Sequence, residues 1–217
     1  MTVSGTSAKR RRVDAGFLRA TERDVEFLRF AGEQYAVSML QLQRMIGASY
    51  AAAHHLKDRW RRAGWGRGRL MIHGKPVFVW PTREGLALAG LPFDPIEPSP
   101  GRIAHIEAVV DVRLWVEGRR PNAVWESERY LPRDVGGGLA AAHRPDALVT
   151  DEGQTVAVEV ELTLKPRHRL EAIVGSTLSR YPAVWYFAAP GPKRALDEIA
   201  DHVGRDRLQV LPLPRPS

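Results

Sequence analysis

The chain contains no cysteine in its 217 residues. Disulfides, thiolate catalysis and cysteine-based zinc sites are therefore excluded, and a reducing cytoplasm is the expected location. It also lacks any apolar run approaching the roughly 20 residues of a membrane helix, and the N-terminus has no signal-peptide pattern. No membrane partner is expected. Acidic residues are scarce in one half only. Residues 1–95 hold 16 Lys and Arg against 8 Asp and Glu, and residues 96–217 hold 16 against 17, so the halves carry +8 and −1. A genome rich in arginine codons accounts for the abundance of arginine but not for this asymmetry. A basic half joined to a neutral one points to a nucleic-acid-binding module attached to something else.

The basic half reads as a succession of capped helices followed by a hairpin. Residues 1–20 are polar and carry Lys9, Arg10, Arg11 and Arg12, which predicts a flexible basic arm. Thr21 caps a first helix, with Glu22 and Asp24 in its first turn and Val25, Phe27, Leu28 and Phe30 on its core side. Ser38 caps a second helix that Gly47 ends; Ser49 caps a third, with Ala53, Leu56, Trp60 and Ala63 facing inward. Arg69–His73 and Pro76–Trp80 then read as strands around a two-residue turn at Gly74-Lys75, and Thr82 caps a short closing helix. This order predicts a winged helix-turn-helix over residues 21–91, with Ser49–Arg62 as the recognition helix and the hairpin as the wing. Tyr50, His54 and Asp58 are the candidates near base edges. Arg59, Arg61, Arg62, Arg67, Arg69 and Lys75 are the candidates for phosphate.

Pro92–Gly101 holds four prolines in ten residues, the pattern of a stiff linker and the expected domain boundary. Beyond it, residues 102–211 alternate helix and strand, and the tail from Pro212 is expected to be loose. His105–Glu117 is helical and apolar around much of its circumference. Val124–Leu131 reads as a strand with Glu126, Glu128 and Tyr130 on one face. Arg133–His143, with Gly136-Gly137-Gly138, reads as a loop. Pro166–Leu178 and Pro192–Val203 are helical, and Ala183–Ala188 and Leu208–Leu211 are strands, the first apolar throughout as in a covered sheet.

The most informative stretch is Arg144–Lys165. Ala147–Thr150 and Thr155–Thr163 form a predicted hairpin around Asp151-Glu152-Gly153-Gln154. Pairing Asp151 with Gln154 sets Asp146 opposite Glu159 and Arg144 opposite Glu161. Two carboxylates facing each other across a ladder repel, by about 0.2–1 kcal/mol before desolvation. A hard divalent cation such as Mg²⁺, or Mn²⁺ in its place, would relieve that repulsion. Asp146 and Glu159 are the candidate metal ligands, with Glu126, Glu128 and Glu161 as further ones.

Pro145-Asp146 followed by Glu159 on the next strand resembles the PD-(D/E)xK nuclease superfamily, and the order of helices and strands from residue 105 onward is similar. The resemblance implies a restriction-endonuclease-like α/β sandwich whose strand acids bind metal. It also implies a lysine, two residues past the last acid, that positions the attacking water. Here that position is Glu161; Lys165 is the nearest lysine, and in a continuing strand it would share the face of Glu159. The implied catalytic set is Asp146, Glu159, Glu161 and Lys165. Together with the winged helix, the segments "RPDA", "EVELT" and "RYPAVWYF" resemble the plasmid replication-relaxation proteins of mobile elements. That resemblance implies binding of double-stranded DNA in plasmid replication, relaxation or transfer, with a replication or transfer protein as a further partner. Its nuclease-like domain is either catalytically degenerate or an active Mg²⁺-dependent endonuclease or nickase. A winged-helix repressor with a sensing or dimerisation domain is the alternative from another class.

Overall fold

The computed structural model describes residues 18–132 and 143–215. The basic arm at Lys9–Arg12 and the glycines at Gly136–Gly138 lie outside the described residues. Within them the chain is a mixed α+β structure of seven helices and two sheets.

The first half runs α1 (Glu22–Glu33), β1 (Val37–Ser38), α2 (Met39–Ile46), α3 (Tyr50–Ala63), β2 (Gly66–Leu70), β3 (Val77–Pro81) and α4 (Arg83–Leu88). Each helix starts at a hydroxyl cap. Thr21 and Ser38 form capping boxes with Asp24 and Gln41, while Ser49 and Thr82 accept from the amides of Ala52 and Gly85. Gly47 and Gly64 close α2 and α3 in the left-handed conformation. The three strands pair antiparallel in the order β1-β3-β2. The two-residue turn expected at Gly74-Lys75 is instead a six-residue loop, since β2 ends at Leu70 and β3 begins at Val77. Pro76 has no amide to extend the ladder, and the chain turns earlier, with the Lys75 amide donating to the Ile72 carbonyl at 3.1 Å.

The second half opens with α5 (Pro100–Arg119) and a five-stranded sheet follows. Its strands are β4 (Val124–Ser127), β5 (Ala147–Asp151), β6 (Gln154–Glu161), β7 (Ala183–Ala188) and β8 (Leu208–Pro212), in spatial order β4-β5-β6-β7-β8. The first three are antiparallel and the last three parallel. The β5–β6 register pairs Asp151 with Gln154 and Ala147 with Val158, as the sequence pairing expects. Glu152 and Gly153 both take positive φ, +49° and +79°, as a two-residue hairpin turn demands. The strand expected to reach Leu131 stops at Ser127. There Ser127 and Glu128 carbonyls accept from Tyr130 and Leu131, and the chain coils into turns.

Helices α6 (Arg167–Leu178) and α7 (Pro190–Val203) cover one face of this sheet, packing Leu170, Val174, Leu196 and Ile199 on Ala157, Val184, Tyr186 and Leu208. Helix α5 covers the other face with Val109, Val112 and Val116 against Trp125, Val149, Val158 and Phe187. Other apolar residues of α5 serve the first half. Val110 and Leu114 pack into the core of α1–α4, and Ile103 and Ile106 pack on Phe78 and Trp80. A helix apolar around much of its circumference must be covered on more than one side. Polar contacts tighten the same seam: Arg113 reaches Glu33 at 2.7 Å, and Gln41 reaches Asp111 at 2.9 Å.

One buried polar knot holds the first half. Asp24 is fully buried and accepts from Thr21, from Arg59 Nε at 3.1 Å and from Trp60 Nε1 at 3.0 Å. Burial by itself would push its pKa up. The hydrogen bonds from Arg59, Thr21 and Trp60 outweigh it and hold the carboxyl below its ordinary range. Its contribution to stability is thus present above that range and lost only in strong acid. Asp24→Ala should destabilise the protein by about 3–5 kcal/mol, because it strands a partly buried guanidinium. Denaturant unfolding measures this; a loss under about 1 kcal/mol would contradict the role given to Asp24.

Candidate functional site

The C-terminal end of β6, the residues before β5 and the turn after β4 meet at one end of the sheet, around a cleft of about 360 Å³. Four acids line it: Glu128, Asp146, Glu159 and Glu161. Burial is deepest for Glu159 and Glu161, each 5% exposed. The strand pairing brings Asp146 to β6, where its Oδ2 accepts from the Val160 amide at 2.8 Å.

The acids do not face each other unaided. His105, from α5, places Nε2 2.8 Å from Asp146 Oδ1. His143 places Nε2 2.8 Å from Glu159 Oε1, close enough for an ion pair. The two atoms are out of hydrogen-bonding alignment, and both are buried with no aligned partner among the described residues. Lys165 is ion-paired with Glu161, which also accepts from the Thr163 amide at 3.2 Å. Arg144 pairs with Glu128, and Arg102 lies 3.8 Å from it. Tyr35, from the first half, donates to Glu128 Oε2 at 3.2 Å, which ties that half to the rim of the cleft.

Three expectations change here. Arg144 does not oppose Glu161; it precedes β5, outside the ladder, and turns to Glu128 and the Leu131 carbonyl. Lys165 joins the acids without an extended strand. β6 ends at Glu161, and the irregular residues after it fold the lysine back. Glu126 is exposed and lies apart from the cleft, whereas Glu128 reaches it because the chain coils after Ser127. His105, His143, Arg102 and Tyr186 were not foreseen. His143 stands three residues before Asp146, but His105 is 41 residues away, and no local pattern links them.

These placements bear on the expected cation. The carboxylates are of the oxygen class that Mg²⁺ or Mn²⁺ takes. Yet Asp146 is committed to His105 and Val160, Glu159 faces His143, and Glu161 holds Lys165. No group of three His, Cys, Asp or Glu side chains among the described residues is arranged to hold a metal ion. A divalent ion taking these carboxylates would have to displace those partners. The site also offers proton chemistry. Burial, above all, pushes the Glu159 carboxyl up to about 7. His143 opposes that rise, and the charge of Asp146 adds to it. The Glu159 contact raises His143 against the effect of its burial, and Asp146 likewise raises His105. Tyr186, beside Glu159 in the sheet and buried among these acids, is driven far up and stays protonated.

A second set of candidates lies on the surface of the first half. Tyr50, His54, Arg61 and Arg62 are exposed along α3, with Asp58 partly so. Arg67 and Arg69 are exposed on β2, Arg69 paired to Glu97 at 2.8 Å. Lys75, in the loop, lies 3.4 Å from Glu107. Arg59 is different from expectation. It is bound to Asp24 and lies over the Trp65 ring, so it is a structural arginine. Arg61, Arg67 and Arg83 line an open groove where α3, β2 and α4 meet.

No family model, curated protein or solved structure matches the chain.

The raised acid has a measurable consequence. A carboxyl whose folded pKa is above its unfolded value contributes stability that is full below about 4.5 and lost as pH rises through about 7. The raised histidines act in the same direction. Glu159→Gln should therefore flatten the dependence of melting temperature on pH between about 4.5 and 7, and should melt higher than wild type at pH 8. Parallel melting curves for the two proteins across that range would contradict the burial argument.

Proposed function

We propose that the chain binds double-stranded DNA through the exposed side of α3 and the adjoining β2, as a winged helix-turn-helix does. The supporting observation is one surface. In the first half, the helix that follows a short turn presents Tyr50, His54, Arg61 and Arg62 to solvent, and Arg67 and Arg69 continue that basic surface on the next strand. The order helix, strand, helix, helix, strand, strand, with β3 central, is the order such a module is built from. Small residues at Ala51 and Ala52 let the start of α3 approach base edges, and the arginines further along reach phosphates.

The second half, on this reading, is a nuclease-like sandwich that has lost metal-dependent cutting. The position of the motif lysine is Glu161, and the acids that would hold metal are compensated by His105, His143 and Lys165. The resemblance to plasmid replication-relaxation proteins supplies a setting: DNA of a plasmid or other mobile element, with the second half docking DNA or a replication or transfer protein.

The test uses the full chain, because Phe78 and Trp80 of the first half are covered by α5. Affinity for duplex DNA should fall steeply with salt as counterions are released. Arg62→Ala and Arg67→Ala should weaken all sequences alike, whereas His54→Ala should relax preference among them. Supercoiled plasmid should stay intact with Mg²⁺ or Mn²⁺. An absence of binding at low salt would refute the DNA reading, and metal-dependent nicking that Asp146→Ala removes would refute the loss of cutting.

A further inference from the structure

A separate cleft of about 530 Å³ lies between α2, the C-terminal half of α5 and the segment after β8. Three guanidinium groups, Arg44, Arg119 and Arg215, line it against a single carboxylate, Asp111, with Leu114 and Trp115 as its apolar wall. Asp111 is already committed, since its Oδ1 accepts from Arg44 Nη2 and from Gln41 Nε2. Arg44 Nε remains buried with no hydrogen-bond partner among the described residues, a condition proteins seldom leave unmet. Arg119 lies over the Trp115 ring, 4.3 Å from its centroid. A guanidinium stacked in this way keeps its N–H edges turned outward for an anion. Neither Arg119 nor Arg215 has an ion pair among the described residues.

We propose that this cleft binds a small phosphate-bearing ligand of nucleotide size, its phosphate held by Arg44, Arg119 and Arg215 and its apolar part against Leu114 and Trp115. The three cations and one acid leave a net charge of +2, which matches a phosphate monoester at about −1.5 to −2. The cleft volume falls in the range of small-molecule sites, roughly 300–1,000 Å³. A concave site of that size favours a free nucleotide over the backbone of a duplex, which presents the same phosphate chemistry. The wall also offers a way to block it. Gly118 lines the cleft, and a Cβ placed there meets nothing within 4 Å, so a side chain can be added at that point of the wall.

Isothermal titration of the full chain with AMP tests the site, with inorganic phosphate and a duplex oligonucleotide as parallel probes. AMP should bind. Arg119→Ala and Arg215→Ala should each weaken it by about tenfold or more, as loss of a charge-assisted hydrogen bond requires. Gly118→Leu should weaken AMP binding without lowering the melting temperature or the duplex affinity. The proposal is overturned if AMP gives no binding at millimolar concentration, or if phosphate binds but AMP does not. It is equally overturned if all three variants bind AMP like wild type, or if Gly118→Leu weakens duplex DNA while AMP fails to bind, which would place the cleft on a DNA path.

Discussion

The structure depends on one helix that two cores share. Helix α5 carries Val109, Val112 and Val116 toward the five-stranded sheet, and Val110, Leu114, Ile103 and Ile106 toward the first half. Each buried side chain of this size contributes about 1.5–3 kcal/mol relative to exposure, so neither half can release α5 cheaply. The proline-rich stretch before it, which reads as a boundary, thus joins two units that share one element of core. Arg113 stacks over Phe30 at 4.1 Å and pairs with Glu33, pinning α5 to α1. The same helix delivers His105 to the acidic cleft and Asp111 and Arg119 to the arginine-lined one. Both clefts are consequences of where α5 is held.

The acidic cleft follows a second constraint. Carboxylates at the buried ends of strands must be neutralised, protonated or paired. Here all three outcomes are present within one site. Glu161 has its lysine, Glu128 has its arginines, and Asp146 has an amide and a histidine. Glu159, buried and facing a histidine out of hydrogen-bonding alignment, is pushed up toward neutrality. The repulsion that a bare Asp146–Glu159 pair would suffer is relieved by side chains from α5, from the residues before β5 and from those after β6.

What was legible in the sequence is what is decided locally. Thr21, Ser38, Ser49 and Thr82 announce their helices because a cap depends on residues within one turn. The β5–β6 register was legible because a two-residue turn fixes it, and the strand Ala183–Ala188 because an apolar run of six needs a covered sheet. What was not legible depends on distance. The partner of Asp146 is 41 residues away, and Arg59, one of several arginines on α3, is chosen by Asp24 on another helix. The reach of Lys165 depends on where β6 stops, and the reach of Glu128 on how the chain coils after Ser127, neither of which alternation alone reveals.

The two halves thus divide the chemistry. The first carries an excess of cations, several of them paired to acids at its surface, and the second encloses acids that its own cations have already met. A polyanion would engage the first before the second, guided by the +8 charge of residues 1–95. Histidine-selective chemical modification of the full chain, read by mass spectrometry with and without duplex DNA, tests that order of engagement directly. DNA should protect His54 and His55 on α3 and leave His105 and His143 at the rate of the free protein. Protection of His105 and His143 with His54 and His55 still freely modified would contradict it.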